Sequence, residues 1–406
     1  MNHPPLSLYV HLPWCVRKCP YCDFNSHAAA EGAPTRRYLD ALLVDLDREA
    51  VTAGDRPIES IFLGGGTPSL FSPTEIARLL DAVRQRFVLS ADVEITMEAN
   101  PGTVECGAPA GYREAGVNRL SIGAQSFDDE TLHKLGRIHG SDDIRRAVTD
   151  ARSAGFDNLN IDIMHGLPGQ TVAKACADLR SAAELDPAHL SWYQLTLEPN
   201  TVFHARPPED LPGEEMAWAI QDAGAALLTS LGFEQYEVSA WARRERRCRH
   251  NMNYWLFGDY LAVGAGAHGK ISDSSGVARY RKPANPLQYM LAMERSDETG
   301  PGERLSKDDL VFEFMLNALR LTTGFREADF MARTGLPKEI LVAAMAGPVE
   351  KGLIARDENA NWSPTPLERR FLNDLQSEFL RHSGVADCKN RSCAAAAGLI
   401  QLCTRG

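Results

Sequence analysis

Cys15-Val16-Arg17-Lys18-Cys19-Pro20-Tyr21-Cys22 decides how this chain is read. Three cysteines spaced C-x3-C-x2-C offer three thiolates and no fourth. A structural zinc site usually closes with four ligands. Three thiolates suit a [4Fe–4S] cluster whose fourth iron stays open to an outside ligand. A zinc loop, or three reduced thiols, is the plainer alternative that the spacing leaves standing. The run Leu6-Ser7-Leu8-Tyr9-Val10-His11-Leu12 just upstream reads as a buried strand. The cysteines therefore fall on a loop at a strand's carboxyl end, where parallel α/β folds keep their chemistry.

Outward from this loop, strands and helices alternate. Further strands are expected at Ile58–Leu63, Val93–Glu98, Arg119–Ile122, Leu159–Ile163 and Leu190–Leu197. Between them apolar residues recur at helical spacing, as in Leu39, Leu42, Leu43, Leu46 and Ala50. Ser72 is a natural N-cap for a helix over Pro73–Phe87, and helices at Asp142–Ala154, Thr171–Glu184 and Glu214–Leu231 follow. Six βα units imply a parallel sheet with right-handed crossovers. Eight would close a barrel, so the expectation is an open, partial (β/α)6 TIM-like barrel over residues 1–232. Polar or glycine-rich motifs come just after the strands: Gly64-Gly65-Gly66-Thr67-Pro68, Glu98-Ala99-Asn100-Pro101, Gly123-Ala124-Gln125-Ser126 and His165-Gly166-Leu167-Pro168-Gly169-Gln170. They mark one end of the sheet as the active end.

Residues 233–300 are less regular and extend the barrel. They hold an arginine run, His250-Asn251-Met252-Asn253-Tyr254-Trp255, and Gly264-Ala265-Gly266-Ala267-His268-Gly269. Over 301–382, helices precede a hairpin from Leu353 to Trp362 and a closing helix at Thr365–Leu380, a winged-helix-like pattern. Residues 383–406, with Cys388, Cys393 and Cys403, are expected to be disordered or loosely attached.

A length of 406 residues allows two or three domains and a sizeable core. A net charge of −11 argues against a general nucleic-acid binder. Nine cysteines, an odd number with three in one loop, point to a reducing cytosol rather than a disulfide framework. Met1-Asn2-His3-Pro4-Pro5 has no basic n-region, and no apolar run is long enough to span a membrane.

Tyr9-Val10-His11-Leu12-Pro13-Trp14-Cys15, the triple glycine with Thr67-Pro68, Glu98-Ala99-Asn100-Pro101 and Gly123-Ala124-Gln125-Ser126-Phe127 carry a resemblance. Gly136-Arg137, Asn160-Ile161-Asp162 and Gly166-Leu167-Pro168-Gly169-Gln170 extend it. In this order they resemble the HemN-like branch of the radical S-adenosylmethionine (radical SAM) family, which holds the oxygen-independent coproporphyrinogen III oxidases and the related heme chaperones. The resemblance spans nearly all of residues 5–382. It implies a [4Fe–4S] cluster on Cys15, Cys19 and Cys22. SAM would chelate the open iron and, on accepting one electron, split to a 5′-deoxyadenosyl radical. The resemblance assigns Gly65, Gly66 and Thr67 to the cofactor's amino group, with Tyr9 beside them, and Tyr21 to its adenine. It assigns Glu98, Gln125, Asp162 and Arg137 to the ribose and the methionine carboxylate, which an arginine can hold bidentately. Taken singly, each of these four reads as a cap or salt-bridge residue.

Phe24 stands where the oxidases carry a fourth cysteine, and only eight residues precede Tyr9 where the oxidases have a longer segment. Both features side with the chaperones. His250-Asn251-Met252-Asn253-Tyr254-Trp255 matches the H-N-x-x-Y-W motif of that branch, whose histidine is implicated in heme binding. A neutral imidazole is a good axial ligand, Tyr254 and Trp255 offer a flat wall, and Cys248 is a rival ligand. A structural histidine is the plain alternative. Arg246 and Arg247 are candidates for pairing with heme propionates, against a solvated loop. The resemblance thus implies a heme carrier serving apo-hemoproteins such as respiratory enzymes, meeting a membrane only transiently through a partner, and a homodimer supported by the cluster. The alternative is an enzyme that oxidatively decarboxylates coproporphyrinogen III in porphyrin biosynthesis. A DNA-binding regulator is the weakest reading, since fold does not fix function.

Overall fold

Alternation within the strands sets the layers of this molecule. In β1 (Leu6–Leu12) the residues Leu6, Leu8, Val10 and Leu12 belong to the main apolar core, while Ser7, Tyr9 and His11 take the other face. The same division runs through β2 (Ile58–Gly65), β3 (Leu89–Ala99), β4 (Arg119–Gln125), β5 (Leu159–His165) and β6 (His189–Gln194). Ile61, Leu63, Ile95, Met97, Leu120, Ile122, Ile161, Ile163 and Leu190 pack into that core with helix residues such as Leu42, Leu46, Leu79 and Val83. Each such side chain contributes about 1.5–3 kcal/mol by leaving water. The inner face is instead polar and buried: Ser60, Glu94, Thr96, Arg119, Ser121, Asn160, His189 and Ser191.

The computed structural model describes residues 3–29, 33–102, 109–295, 302–365 and 372–380. The tail expected at 383–406 lies outside them. Strands β1 to β6 pair in parallel and in chain order, with helices such as Thr35–Ala53, Pro73–Arg86, Ser141–Ser153 and Val172–Glu184 between them. Ser72 caps its helix as expected, in a reciprocal capping box with Glu75. A further parallel strand comes from much later in the chain. After the antiparallel pair β7 (Glu234–Glu237) and β8 (Ala240–Ala242) at the β6 edge, β9 (Asp259–Val263) returns to pair with β1. Strands β10 (His268–Asp273), β11 (Gly276–Arg281) and β12 (Glu303–Arg304) continue antiparallel beyond it. The sheet order is β12-β11-β10-β9-β1-β2-β3-β4-β5-β6-β8-β7, so the barrel stays open.

Helices Lys307–Ala318, Glu327–Thr334 and Lys338–Glu350 precede a hairpin of Ile354–Arg356 and Asn361–Pro364, to which Phe325–Arg326 adds a strand. This winged-helix-like unit has its own core around Phe314, Phe330, Met345 and Trp362. The closing helix is Leu372–Leu380. The unit joins the barrel through a bridge between Glu237 and Leu321 and through Arg320.

Candidate cofactor site

The cysteine loop is tied down on two sides. Trp14–Cys15 pairs with His27–Ala28, and Asn25 Nδ2 donates to the carbonyls of Ala265 and Ala284 at 2.9 and 2.8 Å. A Cβ on Gly266, whose φ is +76°, would sit 2.4 Å from Asn25 Nδ2. The glycine-rich stretch 264–269 therefore carries the loop from behind. His11 Nε2 completes the clamp at the Asn25 carbonyl, 2.9 Å away.

Each thiol has a polar side chain against it. Thr67 Oγ1 lies 3.5 Å from Cys15 Sγ, Arg137 Nη1 3.6 Å from Cys19 Sγ and Ser26 Oγ 3.6 Å from Cys22 Sγ. Burial outweighs the Thr67 contact and pushes the Cys15 thiol up to about 11; burial raises Cys22 too. A metal would therefore displace protons on binding. The three thiols line one cleft with Tyr21, Phe24, Gly65, Gly66, Thr67, Glu98, Asn100, Gln125, Arg137 and Asp162, around about 770 Å³ of space. Among the described residues, no three His, Cys, Asp or Glu side chains gather as a single metal ion would need. A cluster makes a different demand, because its thiolates bind separate irons.

Glu98, Gln125 and Asp162 converge from β3, β4 and β5, and Arg137 from the loop after the short helix Asp129–Lys134. Gln125 has φ +66°, a left-handed conformation rare for a side chain of this kind, at the register shift between β4 and β5. Its Oε1 is buried with no partner, and so is Arg137 Nε. Arg137 Nη2 is fixed by the Gly123 carbonyl at 2.8 Å. Burial and the nearby Asp162 push Glu98 up to about 8, against a hydrogen bond from the Gly65 amide at 3.0 Å. Burial also raises Asp162, against hydrogen bonds from Asn160 and Ser121. Orphaned donor and acceptor atoms beside two buried carboxyls fit a ligand bearing hydroxyls, a carboxylate and a cation. The donor set thus fits SAM, and the three thiols fit a cluster.

The glycines do a second job. A Cβ on Gly65, at φ +112°, would meet the His11 ring at 2.4 Å, and one on Gly66 the Trp14 carbonyl at 2.6 Å. They let the end of β2 close onto the cysteine loop, where the Gly66 and Thr67 amides bond Leu12 and Trp14. Tyr21 packs on Phe203 with centroids 6.2 Å apart. Tyr9, expected at the cofactor, is instead not part of the cleft lining. Its hydroxyl bonds His11 Nδ1 at 3.0 Å, and its ring lies against Phe62 and His250 deeper in the lumen.

His250, the candidate heme ligand, is enclosed, with both ring nitrogens hydrogen-bonded. The ring is 2% exposed, with Nδ1 3.1 Å from Ser60 Oγ and Nε2 3.2 Å from Tyr254 Oη. Tyr254 and Trp255 are buried with it on the helix Arg249–Trp255. Cys248 is buried beside Glu94 and pushed up to about 12 by burial. Arg243, Arg246 and Arg249 pair with Asp186, Asp157 and Asp92, and Arg247 lies over Tyr236. Sequence reasoning missed the interior that joins motif to cleft. Asp162 bonds Asn160, Asn160 bonds His189, His189 bonds Tyr236 and the Tyr236 hydroxyl accepts from the Cys248 amide. The polar parity of the strands was its only trace in the sequence.

Fold and cleft together define a radical SAM protein. Residues 9–182 match the radical SAM superfamily and residues 305–371 the HemN C-terminal domain. Coproporphyrinogen III oxidase (HemN) from Escherichia coli, a radical SAM enzyme of known structure, has a TM-score of 0.78 and 25% identity, covering 93% of this chain and 91% of that one. Within this class the relation narrows. The chain is 46% identical over 378 residues to the heme chaperone HemW of Escherichia coli K12, covering 93% of this chain and 98% of that protein. It is 32% identical to HemW of Bacillus subtilis, covering 87% and 94%. It is also 40% identical to the mitochondrial radical S-adenosyl methionine domain-containing protein 1 of Bos taurus, covering 78% and 74%. The chain belongs to the HemW family.

Proposed function

We propose that this chain is a heme chaperone that holds a [4Fe–4S] cluster and SAM in the cleft and hands heme, its cargo, to apo-hemoproteins. The observation that carries the reading is its 46% identity to a heme chaperone over nearly the whole of that protein. Cys15, Cys19 and Cys22 would hold the cluster, whose chemistry when bound is one-electron reduction. The chain's own part is to position and to exclude. Arg137, held at Nη2 by the Gly123 carbonyl, would receive a carboxylate. Glu98 and Asp162 offer acceptors to ribose hydroxyls, and Tyr21 with Phe203 closes the apolar side. Glu98 would give up its proton as the cationic ligand enters.

Phe24 lines the cleft where the oxidases' fourth cysteine is expected, which favours carriage over decarboxylation. Apo-hemoproteins, respiratory enzymes among them, are the intended recipients, and two copies of the chain would associate through the cluster. No helix of the described residues is long and apolar enough to cross a membrane. Anaerobic reconstitution tests the reading. Iron and sulfide near four each per chain, SAM binding, and heme transfer to an apo-hemoprotein are expected. One zinc without sulfide, or catalytic protoporphyrinogen formation, would overturn it.

A further inference from the structure

Asp178 is the one charged residue on the buried face of the helix Val172–Glu184, beside Ala175, Cys176, Leu179 and Ala182. It is 5% exposed and does not line the cleft. A buried carboxylate needs its acceptors filled, and those of Asp178 are filled mainly from one short segment. Both of its oxygens lie 3.0 Å from Ser126 Oγ, and Oδ1 accepts from the Phe127 amide at 2.7 Å. Ser126 Oγ in turn accepts from the Asp128 amide at 3.1 Å. The buried Gln170 side chain, whose Oε1 accepts from the Leu167 amide, also favours the ionised form. The loops after β4 and β5 thus meet on one carboxylate. Burial pushes Asp178 up to about 6, against these hydrogen bonds, so it is ionised at neutral pH.

The residue just before this segment is Gln125, at φ +66°. A non-glycine residue stays in the left-handed region only where its surroundings over-determine it. Asp178 supplies one side of that constraint, because it grips the two residues that follow Gln125. Gly123 supplies the other. A Cβ there would be 3.1 Å from Gln125 Nε2 and 3.4 Å from Arg137 Nη2, so the glycine gives both side chains room to meet over it. Gln125 Oε1 is then left buried in the cleft wall without a partner. An apolar residue at 178 would pack the helix without the cost of burying a charge. What the carboxylate adds is a fixed place for the residues next to Gln125.

We propose that Asp178 is a positioning residue for the cofactor: by holding Ser126 and Phe127 it fixes Gln125 in its left-handed turn and aims the Gln125 amide at SAM. The inference rests on the cofactor reading above, in which Gln125 meets SAM. It gives Asp178 no contact with the ligand.

The test is equilibrium binding of SAM to the anaerobically reconstituted full chain, expressed per cluster, with a urea midpoint for each variant. The wild type is expected to bind saturably. Asp178→Ala should weaken binding about tenfold, with iron and sulfide content unchanged. In a Gln125→Ala background the same substitution should change the affinity by less than about twofold, because its effect passes through Gln125. Ser126→Ala removes the hydroxyl and leaves the Phe127 amide on Asp178. It should weaken binding about threefold and be equally silent beside Gln125→Ala, which keeps the test decisive where Asp178→Ala does not fold. A merely structural carboxylate would lower the urea midpoint and leave SAM affinity per cluster at the wild-type value. That result, or a loss as large in the Gln125→Ala background as in the wild type, would overturn the inference and leave the cofactor reading intact. A reconstituted wild type that binds no SAM would overturn that reading, and the inference with it.

Discussion

Glu98 shows how a single side chain registers the demands of the cleft. Its ordinary value is 4.5, and in the folded chain burial and Asp162 hold it near 8. Between these values the folded state carries a proton that the unfolded state has lost. Stability therefore falls as pH rises from about 4.5 to about 8, by up to about 1.4 kcal/mol per unit. Glu98→Gln keeps an acceptor for the Gly65 amide and removes the titration. The variant should match the wild type below pH 4 and exceed it in stability by a few kcal/mol at pH 8. Urea unfolding of the metal-free protein across that range measures the gap; parallel curves would show that Glu98 ionises freely in the fold. SAM affinity should move the opposite way, weakened in the variant because the carboxylate is lost. Gly65 shows the other side of residue-scale constraint. Gly65→Ala adds a Cβ 2.4 Å from the His11 ring at φ +112°. It should cost about 1–3 kcal/mol from backbone strain alone and should disturb the cysteine loop, read as iron lost on reconstitution. His11→Ala would relieve the clash but not the backbone strain.

The elements that hold the cleft reach it from far along the chain. The helix Thr35–Ala53 carries Asp45 and Glu49, both bonded by the buried Lys282 at 2.6 and 2.7 Å. Asp45 also accepts from Tyr289 and from the Gly264 amide. Lys282→Met leaves two buried carboxylates without their cation, which should cost about 3–5 kcal/mol. It should also loosen the stretch 264–269 behind Asn25, and hydrogen exchange at Gly264 and Ala265 would report it as faster opening. Unchanged protection there would show that the ion cluster stabilises the helix without supporting the loop. This support was not legible in the sequence, because Lys282 and Asp45 are each ordinary surface-type residues until folding buries them. The strands were legible, because Leu6, Leu8 and Val10 alternate with Ser7, Tyr9 and His11 and the helices keep a 3.6 spacing. Asp259–Val263 escaped notice because five residues followed by no crossover helix carry no local sign of a parallel partner at β1. The three cysteines and the ends of β2 to β5 mark the cleft by position. The burial of His250 depends on Ser60 and Phe62, which lie about 190 residues away in sequence.

At the scale of the whole molecule, the carboxyl-terminal unit shares its core with Phe257 and Val277 and meets Glu237 near the other edge of the sheet. Arg320 is one polar tie, beside the ion pair of Arg279 on β11 with Glu313. It pairs with the buried Glu237, lies over Trp255, and its carbonyl accepts from the Val238 amide. Thr322 adds two bonds to the Tyr236 and Gln235 carbonyls, and Phe314 packs edge-on against Phe257. Glu237 is raised by burial even with the guanidinium beside it. Arg320→Met keeps the apolar contact with Trp255 and strands the carboxylate. The expected cost is about 3–5 kcal/mol, concentrated at the junction between the two units. Calorimetry should then resolve two transitions where the wild type gives one, the carboxyl-terminal unit melting first. The sign of the pH effect follows from Glu237. With Arg320 gone, its folded value rises further above 4.5, so the variant loses stability as pH increases, and the splitting of transitions should be wider at pH 8 than at pH 5. A double variant with Glu237→Gln should recover most of the loss at the higher pH, since neither buried partner then carries charge. If the single variant melts as one unit at both pH values, the apolar contacts around Phe257 and Leu321 and the Arg279–Glu313 pair hold the two units together without the Arg320 pair.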